Sequence, residues 1–315
     1  MLNLAKRFMD RWATPPPPPV RPEKKISPEL MDKIRSIQFR AGHLASDVMA
    51  GEYASAFKGR GMEFSEVREY QAGDDVRLID WNVTARMQQP YIKEFREERE
   101  LTIMLIVDVS SSGSFGSDRK LKNEVAAEIA SILAFLAIRN NDKIGLMAFS
   151  DKIEHYVPPK KGKAHIWNVI RTILNFNPEG QGTNLDLPLE YLLKVLKRKA
   201  VVFLISDFQA KGYEINLKLA ARKHSFIAIT ITDPRETTLP NIGLIQLQDA
   251  ETGQTILIDT RVNDLPRRFA ELASAEHLRQ KRLFHSMGID VIEIQTDRSL
   301  VNPIIQYFKI REKKR

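Results

Sequence analysis

The sequence contains no cysteine, and histidine is scarce, with six residues among 315. The lack of cysteine excludes disulfide bonds, thiolate metal sites and cysteine nucleophiles, and it is compatible with a reducing compartment. The sequence also lacks the Gly-x-x-x-x-Gly-Lys-Ser/Thr phosphate loop and the Gly-x-Ser-x-Gly nucleophile elbow. Neither an ATPase nor an α/β-hydrolase of that type is therefore indicated.

Long apolar runs are missing as well. The longest, such as residues 129–138 and 227–231, fall short of the roughly 20 residues that a membrane-spanning helix needs. No secretory signal pattern stands at the N-terminus. We therefore expect a soluble protein located in the cytoplasm.

The net charge is +8, and basic side chains cluster at residues 160–163, 197–199 and 311–315. One interpretation of these clusters is contact with nucleic acid or with an anionic membrane surface. The other is that they are solvated loops and a frayed terminus, as charge runs commonly are. No base-reading motif or series of stacking aromatics accompanies them, which disfavours nucleic acid as a partner.

Residues 1–26 are expected to form an N-terminal segment and linker outside the folded part. Leu4, Phe8 and Trp12 share one face of a short amphipathic helix, which could lie on a membrane surface or on a partner. So short a helix is marginal in isolation, and a frayed terminus is the alternative. The proline run at 15–19 predicts a stiff polyproline II spacer.

Residues 27–100 predict a small helix-plus-strands subdomain. Apolar residues first recur at helical spacing. Strands are then expected at 63–70 and 91–95, with turns between them rather than long helices. Acidic and basic side chains are interleaved in this second half, which predicts an ion-pair network with Trp81 filling its core. The alternative is that the same residues form part of a partner-binding face.

From residue 101 onward the pattern changes to a regular alternation of strands and helices. Apolar, β-branched runs at 101–107, 201–206 and 226–232 are typical of strands that are buried on both faces of a sheet. Amphipathic or apolar helical segments stand between them. Residues 101–315 therefore predict an α/β domain with a doubly wound, mostly parallel sheet.

Polar side chains follow three of these elements at the point where each strand or loop ends. Asp108, Ser110 and Ser112 follow the first strand, Thr183 lies in a glycine-containing loop, and Asp207 follows a later strand. The carboxyl ends of parallel strands form the edge at which ligands bind. Oxygen ligands of this kind suit Mg²⁺, which keeps several of its waters. Taken singly, each residue is equally compatible with a helix cap or a loop hydrogen bond.

The spacing Asp108-x-Ser110-x-Ser112, followed by Thr183 and Asp207, resembles the metal-ion-dependent adhesion site of von Willebrand factor A domains. All five positions match in residue type and order. The resemblance implies that Ser110, Ser112 and Thr183 contact Mg²⁺ or Mn²⁺. It also implies that Asp108 and Asp207 act largely through bound water, and that an open position on the ion accepts an acidic residue of a partner protein.

A second resemblance lies in the preceding segment, at residues 59–64, 67–81, 85–86 and 93–95. These motifs are similar to the bacterial family called domain of unknown function 58. Members of that family resemble von Willebrand factor A proteins and are often associated with MoxR-type AAA+ ATPases. The complete five-residue site and the absence of catalytic signatures favour a non-enzymatic adaptor, and the resemblance implies that it works with such an ATPase. Many members carry N-terminal membrane helices that this sequence lacks, so peripheral membrane association stays open.

Two other functions are compatible with the same residues. A metal-dependent hydrolase of phosphate esters would use the cation as a Lewis acid, but no general base is evident and Ser110 stands where a phosphatase-like site would need a carboxylate. A basic-surface binder of nucleic acid or membrane would need no metal. Asp233 and Asp297 also follow strands, and loop capping is the expected role for both.

Overall fold

The computed structural model describes residues 47–57, 63–96, 100–114, 116, 121–174, 176, 178–180, 182–248, 253–262 and 264–314. The expected N-terminal amphipathic helix, the proline spacer and the helix predicted after residue 27 lie outside these residues. The strands are β1 Glu63–Glu69, β2 Tyr91–Arg96, β3 Thr102–Asp108, β4 Lys143–Phe149, β5 Ile153–Lys160, β6 Val201–Ser206, β7 Ser225–Thr232, β8 Leu244–Gln248, β9 Thr255–Asp259 and β10 Asp290–Gln295. The helices are α1 Asp47–Phe57, α2 Trp81–Met87, α3 Lys122–Arg139, α4 Lys163–Leu174, α5 Asp186–Val195, α6 Glu214–Lys223, α7 Pro234–Thr237, α8 Leu265–Ser286 and α9 Val301–Lys313.

Six of the strands form one central sheet in the order β10-β7-β6-β3-β4-β5. All neighbours in it are parallel except β4 and β5, which pair antiparallel at one edge. The chain enters at the central strand β3, builds one side of the sheet and then returns to build the other. This doubly wound order, flanked by helices, confirms the predicted von Willebrand factor A-like α/β fold.

Strand β3 is buried on both faces, because its side chains alternate between two separate cores. Ile103, Leu105 and Val107 pack into the core beneath α1, α3, α4 and α9. Met104 and Ile106 pack on the opposite face, against α5, α6 and α8. A strand that lies between two helical layers needs apolar side chains on both faces, and this explains why residues 103–107 are all apolar.

Helix α1 packs against the α/β core. Tyr53 and Phe57 are buried, and the Phe57 ring contacts Phe308 of α9 edge to face, with ring centroids 5.8 Å apart. The guanidinium of Arg311 lies 4.6 Å from the centroid of the Phe57 ring. Helix α1 therefore shares its core with the sheet, although the sequence assigned it to the preceding subdomain.

One expectation for the second half of the subdomain predicted at residues 27–100 is wrong. Strands β1 and β2 form the expected antiparallel pair, but Trp81, predicted to fill a core, is 70% exposed. Trp81 begins the short helix α2, whose backbone is capped by Asp80 through hydrogen bonds from the N–H groups of Asn82 and Val83. The capped first turn presents Trp81 to solvent.

Two ion pairs are described in the same region. Both guanidinium nitrogens of Arg68 donate to the carboxylate of Asp74 at 2.8 Å, and Lys93 lies 3.6 Å from Asp80. These side chains are partly exposed to solvent, so the pairs contribute little to the free energy of unfolding. Within the described part of the chain, no helix is both long and apolar enough to cross a membrane.

Candidate metal centre

Asp108 is the last residue of β3, and its buried carboxylate is fixed by two hydrogen bonds. Oδ1 accepts from the backbone N–H of Ser110 at 3.0 Å, and Oδ2 accepts from Ser206 Oγ at 2.6 Å. Burial, helped by the nearby charge of Asp207, raises the pKa of Asp108 to about 6, although both serines act against that rise. The carboxylate is therefore held rigidly at the edge of the sheet.

Ser110 and Ser112 occupy the turn that follows β3. Their two Oγ atoms lie 3.0 Å apart, because a helical turn at Ser111–Ser114 brings the alternate hydroxyls together. Gly113 lies against helix α3 at this turn, and a Cβ added to it would meet the Cβ of Asn123 at 3.2 Å. The turn is thus packed directly on the start of α3.

Asp207 follows β6, the strand next to β3. The backbone immediately after it is unusual, because Phe208 has φ +56°, a conformation that bulky residues rarely adopt. The strained residue is held by burial of its ring and by a hydrogen bond from its N–H to Ser206 Oγ at 3.0 Å. Such strain is typical of functional sites. The Asp207 carboxylate itself accepts a hydrogen bond from the backbone N–H of Gln209 at Oδ1, at 3.2 Å.

Lys122, the first residue of α3, reaches into the same edge of the sheet and is only 4% exposed. Its ammonium lies 2.8 Å from Asp207 Oδ2 and also contacts Glu236 Oε1. Burial alone would lower the pKa of Lys122, but the carboxylates of Asp207 and Glu236 outweigh burial and raise it. Lys122 is therefore a charged group buried beside a predicted ligand.

Glu236 belongs to the short helix α7 after β7. Its Oε2 accepts from the backbone N–H of Asp233 at 2.9 Å, while Asp233 Oδ1 accepts from the N–H of Arg235 at 2.9 Å. Asp233 thus caps α7, as the sequence indicates, and the capping box holds the Glu236 carboxylate in place.

Thr183 lies in a loop that is tied to the end of β4, the other neighbour of β3. The backbone N–H of Asn184 donates to the carbonyl of Ser150 at 2.9 Å. Glu154 Oε1, which is buried, accepts from the N–H groups of Glu179 and Gly180 at 3.0 and 2.8 Å. The loop therefore stands at the same edge of the sheet, and a ligand role for Thr183 stays a prediction.

Residues 66–279 match the family model described as "Protein of unknown function DUF58". The chain belongs to this family. It is 30% identical over 291 residues to the uncharacterized protein Rv1480 of Mycobacterium tuberculosis, and the match covers 91% of each chain. The DUF58 relationship therefore spans the α/β core and most of the segment that precedes it.

Two solved structures are similar to this DUF58 protein at low sequence identity. The conserved hypothetical protein BatB from Bacteroides thetaiotaomicron is 16% identical with a TM-score of 0.43, over 68% of this chain and 99% of BatB. Proximal thread matrix protein 1 from the mussel byssus, in a structure with a zinc-occupied MIDAS motif, is 21% identical with a TM-score of 0.35, over 42% and 38%. The strand order of the DUF58 protein itself, rather than these similarities, shows its fold.

Three of the five predicted ligands, Asp108, Ser112 and Asp207, line one small pocket at the ends of β3 and β6. Ser110 contacts Ser112 but is not part of the lining. Among the described residues, none donates a hydrogen bond to Asn123 Oδ1, which is buried in the pocket wall. A buried, unpaired oxygen costs free energy unless a cation or water satisfies it. The pocket of the DUF58 protein is lined by Asp108, Ser112, Gly113, Lys122, Asn123, Ala126, Ile205, Ser206, Asp207 and Ile231.

These donors fit a small, hard cation. Asp108, Ser112, Asp207 and Asn123 offer carboxylate, hydroxyl and amide oxygens, which are the kinds of ligand that Mg²⁺ prefers. The Lys122 ammonium lies among them. No cluster of three or more Asp, Glu, His or Cys side chains arranged for a metal occurs in the described parts of the chain. An ion in the DUF58 pocket would therefore depend on hydroxyls and water beside the carboxylates of Asp108 and Asp207.

Sequence reasoning missed three residues at this centre, which are Lys122, Ser206 and Glu236. Lys122 had one available signal, because a lysine in the first turn of a helix opposes the helix dipole. A buried helix that begins with such a residue needs a carboxylate partner elsewhere. Ser206 and Glu236 of the DUF58 protein gave no comparable signal.

Proposed function

We propose that this DUF58 protein is a non-enzymatic, divalent-metal-dependent adaptor that binds other proteins. Mg²⁺ (or Mn²⁺) would be held by Asp108, Ser110, Ser112, Thr183 and Asp207. The observation that carries the proposal is the convergence of Asp108, Ser112 and Asp207 on one pocket at the ends of two adjacent strands, with Ser110 in contact with Ser112 beside it. When bound, the cation supplies an open coordination position for a carboxylate.

The chain's own residues have separate roles in this proposal. Ser206 orients the Asp108 carboxylate through its 2.6 Å hydrogen bond. Ser110 and Ser112 present a pair of hydroxyls without adding charge, since their Oγ atoms lie 3.0 Å apart. Asp207 supplies a second negative charge from the neighbouring strand. The partner is expected to provide an acidic side chain, because a carboxylate oxygen suits an open coordination position on a hard cation.

A MoxR-type AAA+ ATPase is the partner class that we propose, with the cytoplasm as the location. The support is the resemblance to a family that is often associated with such ATPases. The DUF58 chain lacks a phosphate loop of its own, so it would act on a client by linking the client to the ATPase rather than by hydrolysing nucleotide.

The decisive experiment is a pull-down from native cells, with and without EDTA, using wild type and Ser110→Ala/Ser112→Ala. Proteins that are lost both on EDTA treatment and in the double variant would support the adaptor. Ser286→Ala/Ser299→Ala is the matched control, because both of these serines are exposed and lie outside the pocket. A partner that is retained in every condition would contradict metal-dependent capture.

The same protein preparations test the enzymatic alternative. Incubation with p-nitrophenyl phosphate and Mn²⁺ should give no turnover above that of the metal alone. Turnover that requires the protein and disappears in Asp207→Asn would show that the cation serves as a Lewis acid for hydrolysis, and the non-enzymatic proposal would then be wrong.

A further inference from the structure

The buried ammonium of Lys122 already occupies part of the coordination space around Asp207. The Nζ–Oδ2 distance is 2.8 Å, and the side chains of both residues are at most 5% exposed. Two cations that share one carboxylate in a buried site repel each other strongly, because the low local dielectric leaves their charges poorly screened. A divalent ion that approaches Asp207 therefore competes with Lys122.

Lys122 has a second carboxylate within reach. Glu236 Oε1 contacts the same ammonium and also accepts from Gln209 Nε2 at 3.2 Å. Its other oxygen is held by the capping box of α7, so the carboxylate is fixed independently of Lys122. Lys122 can thus release Asp207 and stay paired.

The local charge balance permits this exchange. With Asp108, Asp207 and Glu236 ionised and Lys122 protonated, the group carries two net negative charges. A divalent cation would neutralise that excess, whereas an unpaired buried ammonium would be strongly unfavourable. Glu236 keeps Lys122 paired when Asp207 turns to the metal.

We propose that Lys122 is an internal counter-cation that competes with the divalent ion for Asp207 and transfers to Glu236 when the ion binds. Lys122 thereby sets the metal concentration at which the pocket fills, and it keeps the carboxylates paired at lower concentrations. This inference rests on the proposed metal-dependent function, and it makes Lys122 and Glu236 positioning residues rather than ligands.

The test is Mn²⁺ binding to the purified full chain, measured from the electron paramagnetic resonance signal of free Mn²⁺. Lys122→Met/Glu236→Gln removes the competing ammonium without changing the net charge of the pocket, and it should bind Mn²⁺ about tenfold more tightly than wild type. Glu236→Gln alone removes the alternative partner of Lys122, so it should bind Mn²⁺ more weakly than wild type. Lys194→Met/Glu190→Gln, which removes an ion pair on α5, is the charge-matched control and should bind like wild type.

The outcomes separate the two proposals. Circular dichroism at each metal concentration establishes that every variant is folded. If the charge-matched double variant binds Mn²⁺ no more tightly than wild type, the competition is wrong while the metal-dependent function stands. Binding by the double variant but not by wild type would support the competition strongly. If neither protein binds Mn²⁺, the proposed function is itself overturned.

Discussion

The buried carboxylate of Glu154 accepts a hydrogen bond from the backbone N–H of Gly180 at 2.8 Å, across 26 positions of sequence. The same oxygen accepts from the N–H of Glu179 and from Ser150 Oγ. One carboxylate on β5 thus holds the start of the loop that carries Thr183. If Thr183 is a ligand, Glu154 determines where that ligand lies.

Removal of Glu154 should therefore loosen the loop and weaken metal binding. Glu154→Ala leaves backbone donors unpaired and should lower the free energy of unfolding by about 1–3 kcal/mol, with weaker Mn²⁺ binding. Glu154→Gln keeps an acceptor oxygen and should retain most of both properties. Chemical denaturation and Mn²⁺ titration check the prediction, and unchanged Mn²⁺ affinity in Glu154→Ala would show that this loop does not contribute a ligand.

Gly180 is predicted to be intolerant of any side chain. A Cβ at this position would lie 2.9 Å from the Cβ of Ser150 and still closer to the side-chain oxygens of Ser150 and Asp151. Gly180→Ala should therefore lower the melting temperature clearly. Gly182→Ala is the matched control in the same loop, because its added Cβ would have no described neighbour closer than 3.8 Å. Equal melting temperatures for the two variants would contradict the close approach.

His224 should make the protein less stable in mild acid. The ring is 3% exposed, its Nδ1 accepts from the N–H of Ala200, and its buried Nε2 has no hydrogen-bond partner among the described residues. Burial, with a smaller effect from Lys223, lowers the pKa of His224 to about 4. The unfolded chain, with a histidine pKa of about 6.5, therefore binds more protons between these two values.

Because the unfolded chain binds more protons over this range, lowering the pH favours unfolding. The free energy of unfolding should fall as the pH drops from about 6.5 towards about 4, by about 2 kcal/mol at pH 5. His224→Asn keeps an acceptor for Ala200 and removes the titration, so its stability should depend less on pH over this range. His285→Asn, at an exposed position, is the control. Identical pH profiles for His224→Asn and wild type, from urea denaturation at each pH, would rule out this role.

Two aromatic residues in the segment before the sheet should differ sharply in their effect on stability. Phe57→Ala should cost about 3–5 kcal/mol, because the ring is buried in the main core. Trp81→Ala should change the free energy of unfolding by less than about 0.5 kcal/mol, as is usual for exposed positions. Guanidinium denaturation of both variants checks the pair. A large loss in Trp81→Ala would show that Trp81 is covered in solution.

The fold was largely predictable because the interior positions of β3, β6 and β7 are almost all apolar. Such runs are typical of strands in a parallel sheet that is covered on both faces, and the predicted boundaries of 201–206 agree with the structure residue for residue. Local pattern also located Asp108 and Asp207, since each directly follows an apolar run. These features depend on residues that are close together in sequence, so a local sequence pattern is sufficient to predict them.

The remaining features depend on contacts between distant residues. Lys122 meets Asp207 across 85 positions and Glu236 across 114, and no local pattern encodes which carboxylate a lysine reaches. Trp81 illustrates the opposite error, because its size predicts burial while the Asp80 cap directs it outward. Hydrophobicity predicts that a residue can be buried, but packing determines whether it is.

Contact between α1 and α9 constrains when the molecule can finish folding during its synthesis. Ser55 donates to Glu312 at 2.6 Å across 257 positions, and Arg311 Nε donates to the carbonyl of Ala56. During translation, α1 therefore emerges from the ribosome long before α9, the helix that covers it, has been synthesised. The aromatic face around Phe57 must stay solvent-accessible or be shielded by a chaperone in the nascent chain until α9 has been made.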